Sequence, residues 1–388
     1  MPLQHARLSA SGAHRWLHCT PSIKLEENYP PSTSIYAEEG TVAHELAEVK
    51  LMLEYEKISK KAYNARIKKI QKSEYYNSEM EDYIQSYVEN VVELVNDSKA
   101  ICDDVIVMLE ERLDFSEWVP EGFGTGDVVV ISDGILQVID LKYGKGLEVS
   151  AIENPQLRLY GLGAYNQFEM LYDIDLIKTT IIQPRLDNIS SEEIEVTKLL
   201  TWADNVKKKA QMAFNGEGEF VSGSHCGFCR AKNDCRKRAE DNLKLARKYD
   251  FADTFALNKY EIADILGFAK NIQDWLKDVQ SYALEQAEKH GVKYPGYKIV
   301  EGRSNRKYID EQEVAKVLLN SDYDEEKIYK PRTLKGISDM EKAIGKKSFA
   351  KLLSDLIIKP VGKATLVVES DKRSEINSID SAKKDFEI

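Results

Sequence analysis

No stretch of about 18 apolar residues occurs in this 388-residue chain, so the sequence offers no membrane span. The opening segment, Met1 to Leu17, carries His, Arg and Ser where a secretory leader needs an apolar core, and the expected location is therefore cytoplasmic. Cysteine is scarce, five in all, and unevenly placed. Cys19 and Cys102 stand alone, while Cys226, Cys229 and Cys235 crowd into ten residues. That pattern argues against a disulfide framework and for a metal site, with Cys102 read as a buried thiol. Basic charge is in deficit, 54 Lys and Arg against 65 Asp and Glu, for a net charge of −11. Such a surface does not coat nucleic acid along its whole extent. A local basic groove stays open, because salt confines each charge to about 8–10 Å. Residues 230–248 illustrate this with Arg230, Lys232, Arg236, Lys237, Arg238, Lys244, Arg247 and Lys248, a run that equally describes a solvated helix face. There is no internal repeat.

What is present is a change of hydrophobic period along the chain. Ser9–Cys19 reads as a short helix, and Glu38–Glu56 and Glu79–Ser98 as longer amphipathic ones. Residues 57–75 are rich in Lys and Tyr and fit no clear pattern. β-Branched runs then follow at Val105–Phe115, Gly126–Ser132 and Ile135–Tyr143, the last two joined by the turn Ser132-Asp133-Gly134. Helix returns over Asn154–Phe168, a strand over Leu176–Gln183, and helices over Ser191–Asn215 and Lys259–His290, the last closed by Gly291. This order predicts an α/β fold with a mixed central sheet flanked by helices. The domain reading is a core over residues 1–245 and an accessory region over 246–388.

Three features of the core converge on chemistry. Gly124-Thr125-Gly126-Asp127 opens one strand, and Asp140-Leu141-Lys142 ends the next. Alternation places Asp140 and Lys142 on one face, and the hairpin brings Asp127 towards Asp140. Two carboxylates on neighbouring strands suit a hard divalent cation such as Mg²⁺ or Mn²⁺. Such a cation polarises a phosphodiester oxygen and activates water, and an adjacent lysine offsets developing negative charge. An Asp-x-Lys pair is often only an exposed ion pair worth under about 1 kcal/mol. Here Asp140 ends the apolar run Ile135, Leu136, Val138, Ile139, where a carboxylate needs a compensating partner.

This set resembles the RecB-like branch of the PD-(D/E)xK nucleases, whose pattern continues into a helix with Gln-x-x-x-Tyr. Gln156 and Tyr160 supply that pair, four residues apart on one helix face. The residue before Asp127 is Gly126 and not the Pro of the superfamily's name. The resemblance implies a restriction-endonuclease-like core, with His44 in Gly40-Thr41-Val42-Ala43-His44 as an upstream metal ligand beside Asp127, Asp140 and the Leu141 carbonyl. It also implies a carboxylate on the first core strand, either Glu110 or Glu111.

Cys226-x2-Cys229-x5-Cys235 lacks a fourth local ligand, and Cys19 is the candidate. The layout resembles the iron–sulfur members of the same branch, the AddB type and the CRISPR adaptation nucleases, in which one early cysteine joins three late ones around a 4Fe–4S cluster. That implies a structural cysteine clamp, closing a loop of roughly 200 residues. Zn²⁺ held by three cysteines and His225, His14 or His18 is the alternative. Tyr294 to Tyr308, with Lys298, Arg303, Arg306 and Lys307, combines aromatic and basic residues as a strand-tracking surface does, or as a solvated hairpin does. This segment, the core and the cysteines together resemble a family of phage and prophage proteins.

The expectation is thus a metal-dependent deoxyribonuclease, an exonuclease, acting on a duplex end or single strand of DNA alongside phage replication or recombination proteins. The alternatives are an inactive nuclease fold serving DNA binding and an RNA nuclease.

Overall fold

The computed structural model describes residues 6–30, 35–248 and 257–298. The chain divides into two compact units, Met1–Ile299 and Val300–Ile388, and all described residues belong to the first. The expectations for Arg303, Arg306, Lys307 and the rest of 300–388 lie outside the described residues.

Five strands form one mixed sheet in the order of the chain: β1 (Ile106–Asp114), β2 (Phe123–Ser132), β3 (Ile135–Leu141), β4 (Leu176–Gln183) and β5 (Asn188–Glu195). Neighbours are antiparallel except β3 and β4, which are parallel. A parallel pair needs a crossover, and α6 (Pro155–Phe168) supplies it. Asn154 caps that helix by accepting the Gln156 and Leu157 N–H groups, with Pro155 preset in the first turn. The remaining helices are α1 (Ala13–His18), α2 (Ser22–Glu26), α3 (Ile35–Glu54), α4 (Lys60–Ile70), α5 (Ser78–Ile101), α7 (Val196–Asn215), α8 (Arg236–Lys248) and α9 (Lys259–His290). Among the described residues no helix is long and apolar enough to cross a membrane.

Both faces of the sheet are covered. On one, Val129, Ile131, Leu136 and Val138 pack with Trp16 of α1, Leu157 and Leu162 of α6 and Leu199 of α7. On the other, Val128, Val130, Ile139 and Leu141 pack with Leu46 of α3 and Met80, Ile84 and Tyr87 of α5. Cover on both faces explains why β2 and β3 read as continuous apolar runs.

Three expectations change. The helix expected from Ser191 begins at Val196, because 188–195 forms the edge strand β5. Its sequence, Asn-Ile-Ser-Ser-Glu-Glu-Ile-Glu, is poor in strand-forming residues, and pairing with β4 overrides that preference. Residues 57–75 contain α4, with Ser59 accepting the Ala62 N–H at its start. Cys102 is half-buried at the C-terminal end of α5 and not a core thiol.

Candidate metal and carboxylate–lysine site

The site sits where β1 and β2 leave regular geometry, beside the end of the β2–β3 ladder. β2 pairs β3 only from Val128↔Ile139 onward, so Asp127 lies just beyond the ladder. Its Oδ2 accepts the Leu141 N–H at 2.7 Å, taking the place of a strand partner. Side-chain alternation slips at the same level. Gly126 faces Leu113 and Val129 on the α6 side, whereas Val128 faces α3 and α5. Asp127 also faces α3, so two consecutive residues share one side. On β1, Glu110 stands opposite Asp127, outside the paired register and with φ +52°. A non-glycine residue in that region costs about 1–3 kcal/mol and persists only when its surroundings hold it there. The slip on both strands turns the two carboxylates towards α3.

His44 of α3 meets them, its Nδ1 3.1 Å from Asp127 Oδ1. One ligand atom from each of His44, Glu110 and Asp127 falls within 4.8 Å of the others. Glu110, and not Glu111, belongs to this trio; Glu111 instead accepts a hydrogen bond from Gln167 on the α6 side at 2.8 Å. Burial opposes charge on His44, but Asp127 and then Asp140 outweigh it and raise the imidazole to about 9. Asp127 is held below the usual carboxylate range: burial works against it, and His44, the Leu141 N–H and Lys142 prevail. Glu110 is pushed up to about 7 by desolvation and by Asp127.

Asp140 and Lys142 face the α6 side, as alternation requires. Lys142 Nζ lies 2.8 Å from Asp140 Oδ2 and donates to Gln156 Oε1 at 3.0 Å. Among the described residues Lys142 is the group that compensates this buried oxygen. Gln156 Nε2 reaches both Asp140 Oδ1 and the Tyr160 hydroxyl at 3.4 Å. Burial raises Asp140, and the neighbouring Asp127 carboxylate adds to it against the pull of Lys142. The two aspartates are thus driven apart in acidity, as expected of carboxylates sharing one site. Asp140 stands outside the His44–Glu110–Asp127 trio, its carboxylate engaged by Lys142 and Gln156. Leu141 contributes its N–H to Asp127.

The glycines of the 124–127 motif have a packing role. A Cβ at Gly124 would lie 2.6 Å from Tyr160 Cε1, and one at Gly126 would lie 2.9 Å from Leu113 Cδ1. The missing Cβ at Gly124 lets Tyr160 of α6 settle against β2, and that at Gly126 leaves room for Leu113 of β1. Gly124→Ala is expected to displace Tyr160 and cost about 1–3 kcal/mol, read by urea denaturation. Unchanged stability would mean that the ring is not seated on the strand. Gly40, by contrast, has nothing within 4 Å of a built Cβ, and no packing demand explains it.

Tyr87 joins the site without a motif to mark it. It is fully buried in α5, and its hydroxyl has no partner among the described residues. The charges of Asp127, Asp140 and Glu110 all act on it. Its sequence signal is faint: one polar atom within the apolar stripe Met80, Ile84, Tyr87, Val91, Val95. An orphaned buried hydroxyl beside three carboxylates suits a site that takes a cation with its water shell.

The cysteines meet at a second place. Cys19, Cys226, Cys229 and Cys235 line one small cavity together with Arg15, Ser22 and His225. Burial, and then Glu26, push the Cys229 thiol up to about 12. Direct contacts also join the two chain segments. Arg7 donates to the Phe214 carbonyl at 2.8 Å, Thr20 to the Glu217 carbonyl at 2.6 Å, and the Arg230 N–H to Glu26 at 2.7 Å. Thiolates around one tetrahedral Zn²⁺ stand about 3.8 Å apart, from Zn–S bonds of about 2.3 Å. Among the described residues no three cysteine or histidine ligand atoms come within 4.8 Å of one another. Beside the cavity the rings of His18 and His225 stack, and His14 meets both edge-on.

Fold and site define an α/β protein with a histidine–carboxylate cluster beside a lysine–carboxylate pair, and a cavity lined by four cysteines. The chain belongs to the family described as "Protein of unknown function (DUF2800)", whose model matches residues 5–374. A solved chain titled "Crystal structure of SSO0001" aligns with 56% of this chain and 95% of its own, at 18% identity and a TM-score of 0.24.

Proposed function

We propose that this protein is a metal-dependent nuclease of the PD-(D/E)xK type that hydrolyses DNA phosphodiester bonds. The observation that carries the reading is the convergence at Asp127: a histidine and two carboxylates gather on one side, and a buried aspartate positions a lysine on the other. His44, Glu110 and Asp127 would hold the cation, and Asp140 is close enough to act electrostatically on His44. A divalent cation there supplies polarisation of the phosphodiester oxygen and a lower pKa for bound water. Lys142 Nζ, fixed by Asp140 and Gln156, places a positive charge where the phosphate's charge develops. Gln156 in turn is held by the Tyr160 hydroxyl. A purely DNA-binding role needs no such lysine, which favours catalysis over an inactive fold.

The test is incubation with linear duplex DNA, single-stranded DNA and RNA, with and without Mn²⁺. Mn²⁺-dependent shortening of DNA supports the reading. Cleavage of RNA alone would reassign the substrate, and intact nucleic acid throughout would overturn it.

For the cysteines we propose a 4Fe–4S cluster with a structural role. The shared cavity of all four residues and their wider spacing than one zinc ion requires support it. Protein purified without oxygen is expected to be brown, with a broad band near about 400 nm. Cys19→Ser should lose the band and melt at lower temperature. Colourless protein carrying zinc would overturn the assignment.

A further inference from the structure

Residues 57–72 hold Lys57, Lys60, Lys61, Arg66, Lys68, Lys69 and Lys72 and no Asp or Glu, in a chain of net charge −11. The other conspicuous basic run is neutralised over the first turn of α8. Arg236 pairs with Glu240, Lys237 with Asp241, and Arg238 with Asp278. In the α4 segment only Arg66 has an acidic partner among the described residues. It grips Glu48 with both guanidinium nitrogens, at 3.0 and 2.7 Å. Lys60 lies over the Tyr63 ring at 4.9 Å, and the other lysines are exposed and have no ion-pair partner among the described residues.

The placement of α4 gives these charges a use. It runs antiparallel to α3, tied by Arg66–Glu48 at one point and by Tyr75–Glu38 further along. Glu48 lies one turn beyond His44 on α3, and Arg66 is close enough for the Glu110 charge to act on it. At about 100° per residue, a basic band winds round α4. It starts at Arg66 on the α3 side, passes Lys69, and reaches Lys61 and Lys68 on the solvent side. Tyr63, Ile67 and Ile70 form the packed face. Lys61 and Lys68 are two turns apart, about 10 Å along the axis.

We infer that α4 is the surface on which the sugar–phosphate backbone of DNA is held as it enters the His44–Glu110–Asp127 site. The inference rests on the nuclease reading for the direction of entry. Unpaired lysines bind phosphates by releasing counterions, which is sequence-independent and depends steeply on salt. An acidic protein gains most from confining that attraction to one band, since elsewhere its field repels the same strand.

The test uses the full chain in EDTA, so that binding is read without cleavage. Anisotropy of a labelled single strand and its duplex is followed against salt for wild type and for Lys60→Gln, Lys61→Gln, Lys68→Gln and Lys69→Gln combined. The control variant combines Lys198→Gln, Lys207→Gln, Lys208→Gln and Lys209→Gln, an equal charge change on the exposed face of α7. The α4 variant should bind at least about tenfold more weakly, and its slope of log K against log salt should fall by about 3, each lysine–phosphate pairing accounting for about 0.7–0.9 of slope. The control should bind as wild type, and both variants should melt as wild type. An α4 variant with unchanged affinity and slope overturns the inference. So does equal weakening in both variants. If DNA is cleaved but α4 proves irrelevant, the inference fails and the nuclease reading stands. If α4 binds DNA that is never cleaved, the surface stands and the nuclease reading fails.

Discussion

Lys142→Met is expected to lower DNA cleavage by about 10²–10⁴-fold, the range seen when a positioned proton-transfer or charge-stabilising group is removed. Met keeps much of the length of Lys and removes only the charge and its donors. The lysine also compensates Asp140, which is 4% exposed. Without it, the nearest donor to that carboxylate is Gln156 Nε2 at 3.4 Å. Asp140 would then take up a proton, and stability should fall by about 1–3 kcal/mol, the cost of leaving a buried polar group poorly satisfied. Lys142→Arg separates the two roles. It restores charge beside Asp140 and should recover most of the stability, but its planar fork does not reproduce the point charge that Gln156 positions. Single-turnover cleavage and a thermal melt on each variant measure the two effects. Undiminished cleavage by Lys142→Met would remove the lysine from the chemistry.

Asp127→Asn should have an equally large effect by another route. Asp127 accepts from Leu141 with one oxygen and meets His44 with the other. Asn has one acceptor oxygen and no charge, so it loses the ion pair with His44 and, once that oxygen accepts from Leu141, offers only an NH2 group where the carboxylate would hold a cation. In the wild type, Mn²⁺ at about a hundred times its Kd should stabilise the fold by about 2.7 kcal/mol. That gain should vanish in the variant, and cleavage should fall by about 10³-fold, equivalent to about 4 kcal/mol at 1.36 kcal/mol per tenfold. The metal-induced melting shift is independent of any nuclease assay. A variant that keeps it would show that the cation is held elsewhere.

Much of this arrangement is legible in the sequence, and the exceptions have identifiable causes. The Asp140–Lys142–Gln156–Tyr160 group follows local periods: two residues along a strand, then four along a helix. Those periods survive folding because β3 and α6 are regular where these residues lie. Glu110 and Asp127 differ, since a strict period of two sends one of any two neighbouring residues to the opposite face. The choice between Glu110 and Glu111 is made by the left-handed backbone at Glu110, to which the sequence offers no local cue such as glycine. The polar edge strand 188–195 is set by its neighbour β4 and not by its own composition. The two basic runs already differ in sequence, since 57–72 has no acid and 230–248 has Asp234, Glu240 and Asp241. The structure widens the difference by bringing Asp278 of α9 to Arg238 of α8, while among the described residues the lysines of α4 gain no acid.

The sequence by itself determined the layered α/β plan, the positions of the longer helices and of β1 to β4, and the shared face of Asp140 and Lys142, because these depend on side-chain periodicity within single elements. Tertiary structure decided which side chains meet across elements. His44 comes to Asp127 from 83 residues away, Cys19 joins three cysteines more than 200 residues later, and Tyr87 is sealed beneath the carboxylates. The physical reason is the slip in β1 and β2 beside the end of the β2–β3 ladder. There the backbone leaves the pattern that sequence encodes locally, and the surrounding core holds it in place.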